Sequence, residues 1–444
     1  CLDSSQIDAS RFSNADNILA EKASELGNQF AVSDHDLDEL GPELFANDYM
    51  PDRKDFGSGF AKGSLSLCNS WKQLINCINN SSNSNKNFLV ISGFIEGAAS
   101  INQKFSQKLL DECSRHPVLR QSLVYLHPIN RFTEIDLDRC MKLLDYADIQ
   151  PFMFEGILWQ DEYADLPHER LLDLSERLLK NPSGYNVLLH AFGMKLHGQD
   201  LSQYTLGPKF NKLALLAAIQ SLAKDQGNHD VMINNYINNI INAVLPLEEN
   251  EVEKEMWVDT IFSIVDQKYG YVSSSHDYIE TTARLMPEAF LNRLFQGTET
   301  QQRHYLNYLK MDKPLSKVDV NTLIKWCEKD NYEDTWTLIA NGMKIWGEGD
   351  ESQSASIEGS AIRFLEASPE PKKVMEAFVR LNSWSGNRSD ALQKKADGID
   401  CLKKHTQSNI ANAANLVCEE LSKEIKSVRM HEQALHGEQE QRFE

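Results

Sequence analysis

The stretch from Thr133 to Gly198 holds two helix-turn-helix patterns in succession, and their spacing limits the architecture more than any other part of the chain. In the first, Leu137, Met141, Leu143 and Leu144 form a helical stripe, Pro151 follows a break, and Phe152, Phe154, Ile157 and Leu158 begin a second stripe. In the second, Leu172, Leu178 and Leu179 precede the break at Asn181-Pro182, and Val187, Leu189 and Phe192 follow it. Leu143 and Leu144 recur as Leu178 and Leu179, and Phe154 and Ile157 as Leu189 and Phe192, each 35 positions on. A hairpin repeating at this period buries its apolar face by stacking on its neighbour, since TPR- and HEAT-type repeats run about 34 to 47 residues. The expected fold class is all-α, a solenoid of stacked helical hairpins in one or two lobes.

A solenoid needs no single central core, so 444 residues fit one elongated array as well as a few ordinary domains. The 65 acidic residues outnumber the 45 basic ones and leave a formal charge of −20. Nucleic acid and anionic membranes are bound through clustered Lys and Arg, so whole-surface attraction to either is disfavoured and a protein partner is expected. No apolar run approaches the roughly 20 residues of a membrane span. The eight cysteines form no C-x-x-C pair, and several lie within apolar helical stripes. They read as reduced thiols and place the chain in the cytoplasm. Because Cys1 and not Met comes first, the chain reads as a fragment or processed product.

In order, residues 1–86 form an acidic N-terminal helical segment, 87–346 the repeat array, 347–356 a linker and 357–444 a C-terminal lobe. In the first, Phe56 to Gly63 (FGSGFAKG) reads as a flexible lead-in to a helix bearing Leu65, Leu67, Trp71, Leu74, Ile75 and Ile78; it lacks the strand and Gly-Lys-Ser/Thr ending of a phosphate loop. Phe88 to Ser100 keeps helical spacing, and Gly93 and Gly97, four apart, allow a neighbouring helix to approach closely. Pro208 to Lys224 contains LALLAAIQSLA, apolar around most of its circumference and so covered on several sides. Thr298 with Gln301, and Ser316 with Asp319, have capping-box spacing. Gly347 to Ser356 (GEGDESQSAS) is too polar to repay the entropy of ordering and marks the clearest internal boundary.

No catalytic, metal or cofactor set emerges. Ser221 and Lys224 match S-x-x-K without its companion motifs, and His190 and His197 lie seven apart with no completing ligand. The segment that invites a binding role is Ala377 to Asp390 (AFVRLNSWSGNRSD), where a helix ends at a turn carrying Trp384, with Arg380 and Arg388 on either side. Trp and Arg supply large contact area, and Arg grips a carboxylate in bidentate fashion. Trp384, Arg380 and Arg388 are therefore the candidate partner-binding residues, against the alternative that Trp384 folds back to seal the last repeat.

The runs FLVISGFIEGAA, ILWQDEYADLP, LLDLSERLLKNPSGYNVLLHAFGMKLHG and NSWSGNRSD resemble the helical C-terminal regions of large bacterial multidomain proteins, some of them in phage defence. That resemblance implies a sensor or scaffold arm, with any enzyme lying before Cys1. The expected function is non-catalytic recognition of a partner on a helical-repeat surface. The alternatives are an α-helical hydrolase or transferase with a non-standard site, and nucleic-acid contact by the C-terminal lobe through Arg380, Arg388, Lys394 and Lys395.

Overall fold

Apolar residues at helical spacing become helices throughout the computed structural model: 22 α-helices, joined by short 3-10 turns and one isolated bridge between Trp346 and Ile357, occur among the described residues. The structure describes residues 4–33, 37–46, 52–80, 86–128, 132–160, 163–201, 206–225, 230–247, 249–267, 276–298, 300–302, 305, 314–329, 334–346, 357–380 and 386–443. The chain is all-α. It divides into two compact units, Cys1–His197 and Gly198–Glu444.

The first unit holds α1 (Ser4–Val32), α2 (Leu37–Leu44), α3 (Asp52–Gly63), α4 (Leu67–Asn80), α5 (Leu89–Ile101) and α6 (Gln103–Arg115). It continues with α7 (Leu123–Leu126), α8 (Glu134–Met141), α9 (Glu155–Trp159), α10 (His168–Lys180) and α11 (Gly184–Leu196). Helices pack on their next-but-one neighbours: α1 on α3, α3 on α5, α2 on α4, α6 on α8, α8 on α10 and α9 on α11. The two central hairpins pack on each other through α8 with α10 and α9 with α11. Leu143 and Leu178 are both buried, Leu144 and Leu179 both half-buried, and Phe154, Ile157, Leu189 and Phe192 all buried.

FGSGFAKG corrects the expectation of a flexible lead-in, because it is the body of α3. A Cβ on Gly57 would overlap the carbonyl oxygen of Val90, and one on Gly59 that of Ser24. On the flanking helices, a Cβ on Gly27 would strike Phe56 and one on Gly93 would strike Lys54. Hence α3 lies between α1 and α5 with backbones nearly touching, and the Gly residues that look like loop chemistry are packing surface. Phe56 and Phe60, stacked at 6.3 Å between ring centroids, supply the bulk that the glycines lack. The expected close approach at Gly93 and Gly97 is made by this helix.

The second unit holds α12 (Pro208–Asp225), α13 (Val231–Val244), α14 (Glu251–Gln267), α15 (His276–Leu285), α16 (Pro287–Leu294) and α17 (Val320–Lys329). It ends with α18 (Thr335–Gly342), α19 (Gly359–Ala367), α20 (Pro371–Val379), α21 (Arg388–Asp400) and the 36-residue α22 (Ser408–Phe443). One row runs α12, α14, α16, α17, α19, each packed on the next. A second row runs α13, α15, the 3-10 turn Pro314–Lys317, α18, α20, α22. LALLAAIQSLA lies in α12, where Leu213, Ala214, Leu215, Ala217, Ala218 and Leu222 are all buried, as an all-round apolar helix requires. The Thr298–Gln301 box forms, with Gln301 Oε1 accepting from the Thr298 backbone N–H at 3.0 Å. At the other expected box Asp319 itself is the cap, its Oδ2 accepting from the backbone N–H of Asn321 and Thr322.

The contact boundary falls at His197–Gly198, where Gly198 takes φ +73°, whereas the sequence placed its clearest boundary at 347–356. Residues 347–356 lie outside the described residues. Their flanks belong to one unit: Glu358 donates its backbone N–H to Ile345 at 2.8 Å, and Met343, Ile345, Ile357 and Ala361 are buried. The apolar pattern on both sides of the polar run closes over a common core, which composition of the run alone does not reveal.

Candidate functional site

The helical stripe Ile410, Ala414, Val417, Leu421, Ile425 buries one side of α22 against α20 and α21. Where the three helices diverge they leave a groove of about 280 Å³. Its floor is apolar, formed by Val379, Leu392, Val417 and Leu421, and its rim is charged. That volume is small for a whole drug-sized ligand and suits one large side chain.

The rim is ordered by ion pairs. Lys372 of α20 reaches Glu420 at 2.9 Å and Glu376 at 3.3 Å. Hydrogen bonds to Glu420 and Glu376 raise its pKa above the usual lysine value. Arg388 donates through Nη2 to Glu424 at 2.6 Å. Glu432 accepts from Ser389 Oγ at 2.5 Å and from the Arg388 backbone N–H at 2.7 Å, which ties α22 to the first turn of α21. Those bonds, Ser389's first, hold the Glu432 carboxyl below its ordinary pKa, as an acid at a helix N-terminus should be.

Of the three residues singled out from sequence, Arg380 and Arg388 both line this groove. Arg388 is engaged with Glu424, so its guanidinium belongs to the frame. Arg380 is exposed at the end of α20, its backbone carbonyl accepting from Lys395 Nζ at 2.8 Å. Trp384 lies outside the described residues.

A second polar centre, not singled out from sequence, lies in the first unit. Asp136 and His127 are 1% and 3% exposed, and Arg139 is 8% exposed, an expensive placement for charge unless it is paired. Arg139 Nη1 donates to Asp136 at 2.7 Å and to His127 Nε2 at 3.3 Å; its Nε donates to Asp111 at 2.8 Å and its Nη2 to Gln107 at 2.7 Å. Asp136 Oδ2 also accepts from the Thr133 hydroxyl at 2.7 Å and backbone N–H at 2.9 Å. His127 Nδ1 lies 2.8 Å from the Leu123 carbonyl, an acceptor only, so Nδ1 carries the proton and Nε2 accepts from Arg139.

Burial pushes the His127 pKa down to about 4, with Asp136 and the Leu123 carbonyl opposing and Arg139 assisting. Burial works to raise that of Asp136, but Thr133, His127 and Arg139 more than offset it, and the carboxyl stays below its usual range. Cys140 Sγ lies 3.9 Å from His127 Nδ1, which superficially resembles a Cys-His-Asp arrangement. Burial raises the thiol's pKa, and the imidazole Nε2 is occupied by Arg139, so the geometry fixes Arg139 and does not generate a thiolate. The available signal was Thr133-x-x-Asp136 at capping spacing with Arg139 three residues further on.

The weaker motifs separate. Ser221 is fully buried on α12 while Lys224 is exposed. His190 pairs with Glu155 at 3.1 Å, and His197 is exposed beyond the end of α11. Among the described residues no group of three or more His, Cys, Asp and Glu is placed to hold a metal, and no helix is long and apolar enough to cross a membrane. No family model, no curated protein and no solved structure matches the chain.

Proposed function

We propose that the chain is a HEAT/TPR-like solenoid that recognises a partner protein without catalysis, serving as the sensing or scaffold arm of a larger bacterial protein. Next-but-one packing along two rows in the second unit supports the solenoid reading, because stacked hairpins pack in this order. The groove between α20, α21 and α22 carries the binding reading. It offers an apolar floor for one buried anchor, a frame set by Lys372, Glu420, Arg388 and Glu424, and exposed Arg380 at the rim. Buried apolar anchors ringed by charge are how protein interfaces concentrate their affinity. The partner is a protein segment presenting a large apolar side chain beside a carboxylate, the first for the floor and the second for Arg380.

Site-specific photocrosslinking tests this reading in cells of the source organism. A photoreactive residue replacing Arg380 is expected to trap one defined protein, and the same residue at Glu255, exposed on α14, is expected not to. The trapped adduct should vanish when Val417→Arg fills the groove floor, with thermal unfolding confirming that this variant folds. A 380 adduct pattern identical to that at 255 would refute the proposal.

A further inference from the structure

The first unit contains a cleft of about 420 Å³ between the end of α6, α8 and the turn that follows α8. Its two carboxylates are already committed: Asp111 to Arg139 at 2.8 Å, and Asp138 to Arg170 of α10. Arg139 is fixed from beneath by Asp136, His127 and Gln107. Two further cations line the cleft, Arg115 and Lys142, and among the described residues neither forms an ion pair. Arg115 is oriented by its own helix, with Nε donating to the Asp111 backbone carbonyl at 2.9 Å.

The wall beside these cations is apolar. Ile135 is 69% and Tyr146 41% exposed, so both present apolar surface to the cleft. The Tyr146 ring is held in place: the Arg120 guanidinium stacks on it at 4.4 Å, and that guanidinium is clamped by both oxygens of Asp148 at 2.8 to 3.0 Å. The cleft thus sets Arg115 and Lys142 beside a pinned aromatic ring.

We infer that this cleft is an oxyanion-binding site, taking a phosphate or carboxylate group attached to an apolar or aromatic body. The anion lies between Arg115 and Lys142, whose donors give charge-assisted hydrogen bonds. The body lies against Ile135 and Tyr146. The site belongs to the other unit from the Arg380 groove and stands or falls independently of it.

The test is calorimetric titration of the full chain with phenyl phosphate and, separately, with benzoate at low ionic strength. Binding of at least one is expected. Lys142→Ala and Arg115→Ala should each weaken it about tenfold, the loss of one hydrogen bond to a charged group. Lys142→Arg should retain most of it, and Lys108→Ala, exposed on α6 outside the cleft, should leave it unchanged. Preference for phenyl phosphate assigns a phosphorylated ligand, and preference for benzoate a carboxylate; either supports the site. Failure of both probes to bind the folded wild-type chain overturns the inference. So does undiminished binding by Lys142→Ala, whose exposed turn position keeps the variant folded.

Discussion

Arg139 of α8 reaches back to Asp111 of α6, its Nε donating to Oδ1 at 2.8 Å. The same relationship recurs along the chain. Arg170 of α10 donates to Asp138 of α8, Arg293 of α16 to Asp259 of α14 at 3.0 Å, Trp326 of α17 to Asn292 of α16 at 2.9 Å, and Arg363 of α19 to Asn321 of α17 at 2.7 Å. In each case the later helix supplies the donor and the earlier one an Asp or Asn acceptor. Apolar stripes tolerate sliding along a helix axis; a directional donor–acceptor rung fixes the offset between successive helices.

The rungs differ in burial, so their contributions differ. Replacing Arg139 with Ala strands Asp136 as a buried uncompensated charge and should cost about 3 to 5 kcal/mol. Arg363→Ala removes an exposed pair and should cost less than ~1 kcal/mol. Urea unfolding of the two variants measures both. Equal costs would mean that leaving Asp136 buried without Arg139 carries no penalty.

The 35-residue offset makes a paired expectation. Leu143→Ala and Leu178→Ala each empty a fully buried position and should cost about 2 to 5 kcal/mol. Half-buried Leu144 and Leu179 should each cost distinctly less when replaced. Chemical denaturation of the four variants tests whether positions 35 apart, matched in burial, are also matched in energy.

Legibility followed period. The burial of Leu143 and Leu178 was readable because apolar residues at helical spacing turn toward a core, and α12 was readable because an all-round apolar helix has to be covered. FGSGFAKG was misread because glycine gives the same signal for a loop and for a helix crossing at backbone distance; what distinguishes them is the partner, here Val90 and Ser24, far away in sequence. The His127–Asp136–Arg139 centre was missed because its members fall in ordinary acidic and basic company, and only folding reveals which are buried. At the groove, Arg380 and Arg388 stand out in sequence by their proximity to a turn, while Glu420, Glu424 and Glu432, which order it, lie on a helix that nothing local in sequence brings there.

The close crossing of α3 is expected to be intolerant of a single methyl group. Gly57→Ala or Gly93→Ala drives Cβ into a backbone carbonyl that cannot rotate away, so the helices must separate. The loss should reach the upper end of the ~1 to 3 kcal/mol typical of overpacking. Gly359→Ala, where a Cβ meets nothing within 4 Å, should be neutral or gain up to about 1 kcal/mol in helix propensity. Melting temperatures of the three variants decide it.

The buried neutral imidazole of His127 gives the protein an acid-sensitive element. Its folded pKa, about 4, lies below the ordinary histidine value of 6.5, so between those values the unfolded chain takes up a proton that the folded chain refuses. Stability is therefore fully present above pH 6.5 and declines as pH falls toward 4, by about 3 kcal/mol over the whole window. His116, whose pKa burial also lowers, acts in the same direction. Asp136, held below its ordinary carboxylate pKa, adds a further loss that begins only below about pH 4. His127→Asn should be less stable at neutral pH, because the packing against Leu123 and Arg139 is lost, yet its stability should fall less steeply between pH 6.5 and 4.5. Urea unfolding across that range gives both slopes, and a His127→Asn slope equal to that of the wild-type chain would remove His127 as the source of the acid sensitivity.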